Sequence, residues 1–288
     1  MDQKGEYSYA VSVKSAVSDE LINTYLLRPI AGLIVRLLYT TPITPNQVTI
    51  ASTVSGLLAG LFYLGGNPAS VATAGLFVTL KDILDSADGQ LARAKNLYTR
   101  TGRFLDSIGD FVVDLAVFAA IGWTLYRSSG DIMVLVWAFF GFMGITLRVS
   151  YHVFYHTSFL HLEKKYQTNR VTEEFTEDDL AGDAFTLALQ KIFLALYGWQ
   201  DRLVVRLDRW CKRGQEGDEF LSRWYSDIPA LRWSGFLGFG TELFLLTLCS
   251  IFNKLQLYLY LNVFLMNGAL LVCVAYRRAF LWEKLRPV

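Results

Sequence analysis

Four aspartates between residues 85 and 110 have a spacing that could do chemistry. Asp85 and Asp88 stand three residues apart, and Asp106 and Asp110 stand four apart. On a helix, side chains three or four residues apart share one face. The stretch therefore predicts two helices that each present a pair of carboxylates, joined by a short basic turn between residues 93 and 103.

The small and basic residues between the acids indicate what the carboxylates are for. Acids that converge at the end of a membrane bundle repel one another and are costly to desolvate, and a divalent cation removes that cost. Ligation by carboxylates suits hard ions, and Mg²⁺ is usually held by a few carboxylates together with substrate phosphates. Gly89 and Gly102 leave room for a ligand beside the backbone, and the Arg93 guanidinium can fork onto phosphate oxygens. The pattern favours a metal site for a phosphate-bearing substrate.

The same positions form the pattern D-x2-D-G-x2-A-R-x8-G-x3-D-x3-D, which runs from Asp85 to Asp110 without a departure. This pattern resembles the signature of the CDP-alcohol phosphotransferases. Helix capping, or pairing with the basic residues of the turn, explains one or two of the acids but not the whole set. A segment of the N-terminal part, T-P-I-T-P-N-Q-V-T, together with D-G-Q-L-A-R, resembles the branch of inositol-phosphate-type transferases.

The resemblance implies transfer of a substituted phosphate from a CDP-activated donor, such as CDP-diacylglycerol, to an alcohol, with release of CMP, in phospholipid biosynthesis. It implies one or two Mg²⁺ or Mn²⁺ ions on Asp85, Asp88, Asp106 and Asp110, with Asp110 also the candidate general base. The CDP-binding residues that the resemblance implies are Asn46, Thr49, Gly89, Ala92, Arg93 and Gly102. For Asn46 and Thr49, the alternative roles are helix capping and interhelical hydrogen bonding.

The acceptor alcohol is not fixed by any residue, and the donor stays open between a lipid and a soluble CDP-polyol. Lys81 and Arg148 would suit a phosphorylated acceptor. An arginine inside a membrane span needs an anionic partner. For Arg148 the candidates are a substrate phosphate, a motif carboxylate, or Glu242 on the fifth predicted span, and the sequence reading leans to the substrate.

The composition indicates a membrane protein. Hydrophobic residues make up 53% of the 288 residues, aromatic residues 15%, and the mean hydropathy is +0.32. A net charge of +1 argues against nucleic acid as a partner. The three cysteines have no metal-like spacing and predict no disulfide framework. His152 and His156 share a helical face, but His161 lies off it, so a histidine metal site is not favoured.

The apolar segments predict an all-α integral membrane protein, a bundle of six transmembrane helices. Thr44 followed by Pro45 predicts the start of the first span, and Ser52, Gly56 and Gly60 form a small-residue stripe for close helix contact. The predicted spans cover residues 45–64, 69–91, 102–126, 132–154, 233–252 and 257–276.

Four parts of the chain follow from these spans. Residues 1–44 form an N-terminal segment with an amphipathic surface helix, for which packing on the bundle is the alternative. Residues 45–160 hold spans one to four and the catalytic motif. Residues 161–232 form a cytoplasmic helical insertion, with an acidic run that favours a solvated loop and then a helix, whole or broken near Gly198. Residues 233–288 hold the last two spans and a basic C-terminus.

The distribution of basic residues predicts the orientation. Lysine and arginine concentrate in the N-terminal segment, the 93–103 turn, the insertion and the C-terminus. The positive-inside rule then places both termini and the active site in the cytoplasm. Membrane lipids are the expected surroundings, and a homodimer is one option for the assembly. A cation transporter is the rival function, because intramembrane carboxylates also mark ion paths, and an inactive scaffold of the same fold is a second rival.

Overall fold

The computed structural model describes residues 8–9, 20, 22–163, 172–180 and 182–286, and throughout these residues the regular secondary structure is helical. The rest of the N-terminal segment and the first part of the insertion lie outside the described residues. A π-helical turn, Asn23–Leu27, precedes the first α-helix, and a single turn, Glu177–Leu180, precedes the sixth. The helices are α1 Arg28–Leu38, α2 Pro45–Gly65, α3 Pro68–Lys95, α4 Arg100–Ser129, α5 Met133–Leu162, α6 Ala184–Cys211, α7 Asp218–Tyr225, α8 Ile228–Gly235, α9 Phe239–Ile251 and α10 Leu255–Leu285.

Side-chain caps fix where the helices of the motif begin. Thr44 and Gln47 form a capping box at the start of α2, with Pro45 in its first turn, as the sequence predicts. The Asn67 side chain accepts a hydrogen bond from the Ser70 backbone at the start of α3. Thr99 does the same for Gly102 at the start of α4. These caps satisfy backbone donors that a helix leaves unpaired at its first turn.

Four segments of the described chain are long and apolar enough to cross a membrane, by length and composition. They are α2, α5, the run Ile228–Ile251 that holds α8 and α9, and α10, and they correspond to the first, fourth, fifth and sixth predicted spans. Helix α10 contains two π-helical stretches. The fifth predicted span is broken by residues 236–238 into α8 and α9. Helices α3 and α4 are 28 and 30 residues long but carry the charges of the motif, so their composition alone does not mark them as spans.

Helix α2 lies between α3 and α4, and its small residues allow the close approach. The Ser52 hydroxyl donates to the Lys81 carbonyl of α3 at 2.9 Å. A methyl group at Gly56 would overlap Cγ1 of Val113 on α4, so a larger residue there would force α2 and α4 apart. The small-residue stripe predicted on α2 therefore lies at its contacts with both neighbours.

The insertion packs against the bundle. Helix α6 is continuous through Gly198, so the predicted alternative of two helices is wrong. The Tyr197 hydroxyl donates to the Ser107 carbonyl of α4 at 2.8 Å, and Ser150 of α5 donates to Gln200 at 2.7 Å. These bonds fix α6 across α4 and α5 on the side of the bundle that carries the motif.

Helix α1 packs on α3 with an amphipathic pattern. Ala31 and Val35 are fully buried, whereas Leu33 and Leu37 are 65% and 75% exposed. Pro29 lies in the first turn and does not interrupt the helix, because the first turn of a helix needs no backbone donor there. The Lys95 ammonium group closes the segment after α1 by donating to the carbonyls of Thr41 and Ile43, both at 2.8 Å.

Candidate active site

An open pocket of about 390 Å³ lies where the start of α2, the end of α3 and the start of α4 meet. All six residues that the sequence predicts to contact the nucleotide line it, together with two of the four motif acids. The lining residues are Pro45, Asn46, Thr49, Asp88, Gly89, Ala92, Arg93, Leu97, Tyr98, Thr99, Arg100, Gly102, Arg103 and Asp106.

Three of the four motif acids form one cluster. Asp85, Asp88 and Asp106 each offer a carboxylate oxygen, and these oxygens all lie within 4.8 Å of one another. Oδ1 of Asp106 is buried and accepts no hydrogen bond from any described residue. A buried carboxylate oxygen without a partner is costly unless a ligand reaches it. The oxygen donors and the orphaned atom fit a hard divalent cation.

Asp110, the fourth motif acid, is bound by a lysine instead of joining the three-acid cluster. The Lys81 side chain is only 4% exposed, and its ammonium group forms a salt bridge with Asp110 and lies 3.6 Å from Oδ1 of Asp85. Lys81 thereby links Asp110 to the cluster. The expectation that Lys81 receives an acceptor phosphate is corrected, because this buried ammonium group is already engaged by two motif acids and does not line the pocket.

Contacts between α2 and the motif explain two of the predicted nucleotide residues. The Thr49 hydroxyl donates to Oδ2 of Asp88 at 2.5 Å. A methyl group at Gly102 would lie 2.7 Å from Oδ1 of Asn46, so glycine at this position lets the Asn46 amide approach the first turn of α4. Thr49 therefore orients a motif acid as well as lining the pocket. The interhelical hydrogen bonding considered as the alternative role for Thr49 is present.

Two arginines at variable positions of the motif also line the pocket, and sequence reasoning missed their carboxylate partners. Arg100 binds Glu173 at 2.5 Å and also pairs with Asp179, and Arg103 pairs with Glu173. Both acids come from the acidic run of the insertion and are buried, so the expectation of a solvated loop is wrong at these two positions. The sequence contains two arginines one turn apart and a separate acidic run, which indicates groups of opposite charge that could pair. It does not indicate which acids pair with which arginines.

A third acid of the insertion, Asp201 on α6, lies near Arg103. Burial raises the pKa of the Asp201 carboxyl to about 6, and the positive charge of Arg103 acts in the opposite direction. At the other end of the segment, hydrogen bonds from Thr186 lower the pKa of Asp183, which caps α6.

Arg148 lies away from the pocket. Its side chain is fully buried, and its guanidinium forms a salt bridge with Glu242 of α9 at 2.9 Å and donates to Asn267 of α10 at 2.5 Å. The leaning toward a substrate phosphate is corrected in favour of Glu242, the alternative partner. Burial of an arginine inside the bundle is compensated because carboxylate and amide acceptors on two neighbouring helices surround it.

Comparison with known proteins decides the family to which this site belongs. A family model described as CDP-alcohol phosphatidyltransferase matches residues 42–204, which is more than half of the chain and includes the whole pocket. The chain belongs to the CDP-alcohol phosphatidyltransferase family. The resemblance read from the motif is thereby confirmed.

Similar proteins indicate which branch of the phosphatidyltransferase family this chain resembles. The bifunctional IPC transferase and DIPP synthase of Thermococcus kodakarensis is 30% identical over 48% of this chain and 31% of its own length. The phosphatidylinositol phosphate synthase of Corynebacterium glutamicum is 32% identical over 38% of this chain and 48% of its own. The archaetidylinositol phosphate synthase of Pyrococcus horikoshii is 39% identical over 27% of this chain and 40% of its own. These names match the inositol-phosphate-type branch, and the matches span less than half of each relative.

The family and the apolar helices together identify an integral membrane protein. Four segments have the length and composition of membrane spans, and the pocket opens at the helix ends that carry the motif. The matched region includes α2 to α5 and most of α6. The phosphatidyltransferase region therefore includes much of the insertion helix as well as the acidic motif.

Proposed function

We propose that this protein transfers a substituted phosphate from a CDP-activated alcohol to the hydroxyl of a second alcohol and releases CMP. The observation that carries the proposal is the pocket itself, in which the six predicted nucleotide residues adjoin a cluster of three carboxylates. Phosphoryl transfer needs positioning and neutralisation of charge more than covalent help from the protein. This pocket offers both.

The proposed role of each residue follows from its position in or beside the pocket. Asn46, Gly89, Ala92 and Gly102 form walls that admit the cytidine and its phosphates close to the backbone, and Arg93 donates to phosphate oxygens. Asp110 is the candidate base that accepts the proton of the attacking hydroxyl. Lys81 holds Asp110 in place by an ammonium contact from the neighbouring helix. A base must lie within hydrogen-bond reach of the proton that it removes, so this role requires the acceptor hydroxyl to approach Asp110 beside the three-acid cluster.

Asp85, Asp88 and Asp106 are the proposed ligands of one or two Mg²⁺ or Mn²⁺ ions. Asp110, which the sequence also predicts as a ligand, lies outside this cluster in a salt bridge with Lys81. When bound, such ions neutralise the charge of the pyrophosphate and stabilise the attacking and leaving oxygens. Thr49 keeps Asp88 oriented toward the cluster through its hydrogen bond of 2.5 Å. Oδ1 of Asp106, which has no hydrogen-bond partner among the described residues, supports this assignment.

The preferred donor is CDP-diacylglycerol and the preferred acceptor a phosphorylated polyol of the inositol-phosphate type. The relatives named phosphatidylinositol phosphate synthase support this choice. A soluble CDP-polyol donor is the second candidate, and the bifunctional relative of Thermococcus kodakarensis supports it. Both candidates use the same pocket and differ in what lies beyond the pyrophosphate.

Release of CMP tests this function directly. Purified protein with Mg²⁺ is expected to release CMP from CDP-diacylglycerol only when an acceptor such as inositol phosphate is present, and a screen of donors against acceptors identifies the pair. Chelation of divalent ions should stop release, and added Mg²⁺ or Mn²⁺ should restore it. If no CDP-alcohol yields CMP while the protein conducts cations in liposomes, the transporter alternative replaces the proposal.

We also propose that six segments span the membrane, with both termini, the pocket and the insertion on the cytoplasmic side. The spans are α2, α3, α4, α5, the pair α8–α9, and α10. At ~1.5 Å per residue, α3 and α4 are long enough for a hydrocarbon core of about 30 Å. The motif charges lie near the ends of these two helices that meet the pocket, so the apolar remainder of each helix can lie in the lipid. The division at residues 44, 160 and 232 follows from the same arrangement.

Cysteine labelling in intact cells tests this topology. New cysteines at exposed positions Ser129 and Lys254 should react with a membrane-impermeant maleimide, whereas cysteines at Leu97 and Glu216 should react only after permeabilisation. The native cysteines are all buried, so the unmodified protein is the background control. Reaction of positions 129 and 97 from the same side would contradict six spans.

A further inference from the structure

The insertion contacts residues that line the pocket, and these contacts indicate its role. Glu173 and Asp179 reach the first turn of α4 and bind Arg100 and Arg103, both of which line the pocket. The two carboxylate side chains are each only 2% exposed, while the arginine side chains are 35% and 25% exposed. The buried carboxylates therefore bind the arginines on the side that faces the protein interior, and part of each arginine side chain stays exposed.

The two acids are themselves held in place, so they support the arginines of the pocket wall from a fixed position. The Gln190 side-chain amide of α6 donates to Oε1 of Glu173 and to Oδ2 of Asp179, both at 3.1 Å. Asp179 also accepts from the Thr176 backbone at 3.0 Å. One side chain of α6 thus sets the separation of the two carboxylates, and that separation matches the pair of arginines.

Aromatic rings fix the arginines from another direction. The Arg103 guanidinium carbon lies 4.8 Å from the centroid of the Phe104 ring and 5.8 Å from that of Phe193 on α6. Arg100 lies 5.5 Å from the same Phe104 ring. Each guanidinium carries five N–H donors, more than its contacts with the carboxylates use. Held between carboxylates and rings, both arginines keep donors for an anionic ligand in the pocket.

We propose that Glu173 and Asp179 are positioning residues for the CDP-bearing donor, and that the insertion thereby fixes the two arginines that form one wall of the nucleotide pocket. The proposal rests on the proposed function, since it assigns the pocket to a nucleotide with a pyrophosphate. The ligand class follows from charge: a diphosphate takes donors from Arg93, Arg100 and Arg103, which all line the pocket. Fixing both guanidinium groups before binding removes the entropy cost of ordering them.

The direction in which the affinity for CDP changes distinguishes a positioning role from a purely electrostatic one. Replacing Glu173 with Gln and Asp179 with Asn removes two negative charges near the pocket, so electrostatics alone would tighten binding of an anion. Positioning gives the opposite result, because freed arginines must be ordered again each time a ligand binds. The entropy of an immobilised long side chain corresponds to about two- to tenfold in affinity for each arginine released.

The experiment measures binding of CDP to the purified full-length protein by calorimetry in the presence of Mg²⁺. The E173Q and D179N variants are expected to bind CDP about two- to tenfold more weakly than the wild type, and E173Q/D179N more weakly still. Glu177→Gln, an exposed acid of the same run, is the matched control and should leave binding unchanged. Melting temperatures confirm that each variant is folded.

A double-mutant cycle shows whether the acids act through the arginines. In the R100A/R103A background, the added E173Q/D179N changes should cause no further loss, because the groups they position are gone. Arg103→Lys keeps the charge but loses the planar fork, so it should weaken CDP binding even if an acid variant fails to fold. Tighter binding by E173Q, or an equal loss in the R100A/R103A background, would overturn the positioning role. If the wild type itself does not bind CDP, the proposed function fails first.

Discussion

Replacing Asp88 or Asp106 with asparagine is expected to lower the rate of CMP release by at least about a hundredfold, with the protein still folded. Each change removes one negative charge from the cluster of three carboxylates while keeping the size of the side chain. A cation held by fewer charges binds more weakly and neutralises less of the charge that develops on the pyrophosphate. Asp85→Asn should behave in the same way.

Asp110→Asn is expected to lose as much activity for a different reason. Its carboxylate lies on Lys81 and outside the cluster, so the variant should lose the base while metal binding is largely kept. Binding of Mn²⁺ by the purified variants separates the two classes, because only the three cluster variants should lose affinity for the ion. Glu219→Gln, an exposed acid of α7, is the control. Near-normal turnover in any two of the four Asn variants would refute the assignment of the site.

Breaking the ion pair between Arg148 and Glu242 should have the largest effect on stability. Glu242 is 1% exposed, and besides Arg148 it accepts hydrogen bonds from Tyr258 at 3.0 Å and from Asn262. Removing one partner of a buried pair leaves the other charge uncompensated, at a cost of about 3–5 kcal/mol in the free energy of unfolding. Both Arg148→Ala and Glu242→Ala should show this loss in denaturation measured in mixed micelles.

The double variant is the informative one. Because neither charge remains buried alone, Arg148→Ala with Glu242→Ala should recover part of the sum of the two losses. Glu242→Gln keeps the size of the side chain but replaces one acceptor oxygen with an NH₂ donor, so it removes the charge together with one hydrogen-bond acceptor. If Arg148→Ala left the unfolding free energy unchanged and raised only the Michaelis constant of the acceptor, Arg148 would bind substrate after all.

The close match between the motif and the pocket explains why the sequence was informative here. The spacing of Asp85 and Asp88, and of Asp106 and Asp110, placed each pair on one helical face, because periodicity fixes directions around the axis of a single helix. Thr44 and Pro45 marked the start of α2 because capping is a local interaction within one turn. The residues named for the nucleotide line the pocket, since the family motif records positions that meet at one end of the bundle.

Membrane spans were harder to count from composition. Helices α3 and α4 carry the site, and their charges lower their mean hydropathy although each is at least 28 residues long. That these two helices cross the membrane therefore stays a part of the proposed topology, which the labelling experiment tests. The break between α8 and α9 was also hidden, because the apolar sequence continues through residues 236–238.

The amino-acid sequence by itself determined the family, the helical pairs of the motif and six of the residues that line the pocket. Tertiary structure decided which partner each buried charge has. Lys81 binds Asp110, Arg148 binds Glu242, and Arg100 binds Glu173, and in each pair the two residues lie on different segments of the chain. Periodicity orients a side chain about its own helix but cannot say which helix docks opposite. The docking of α6 across α4 therefore buries Glu173 and Asp179, two acids of a run that reads as solvated, against the arginines that line the pocket.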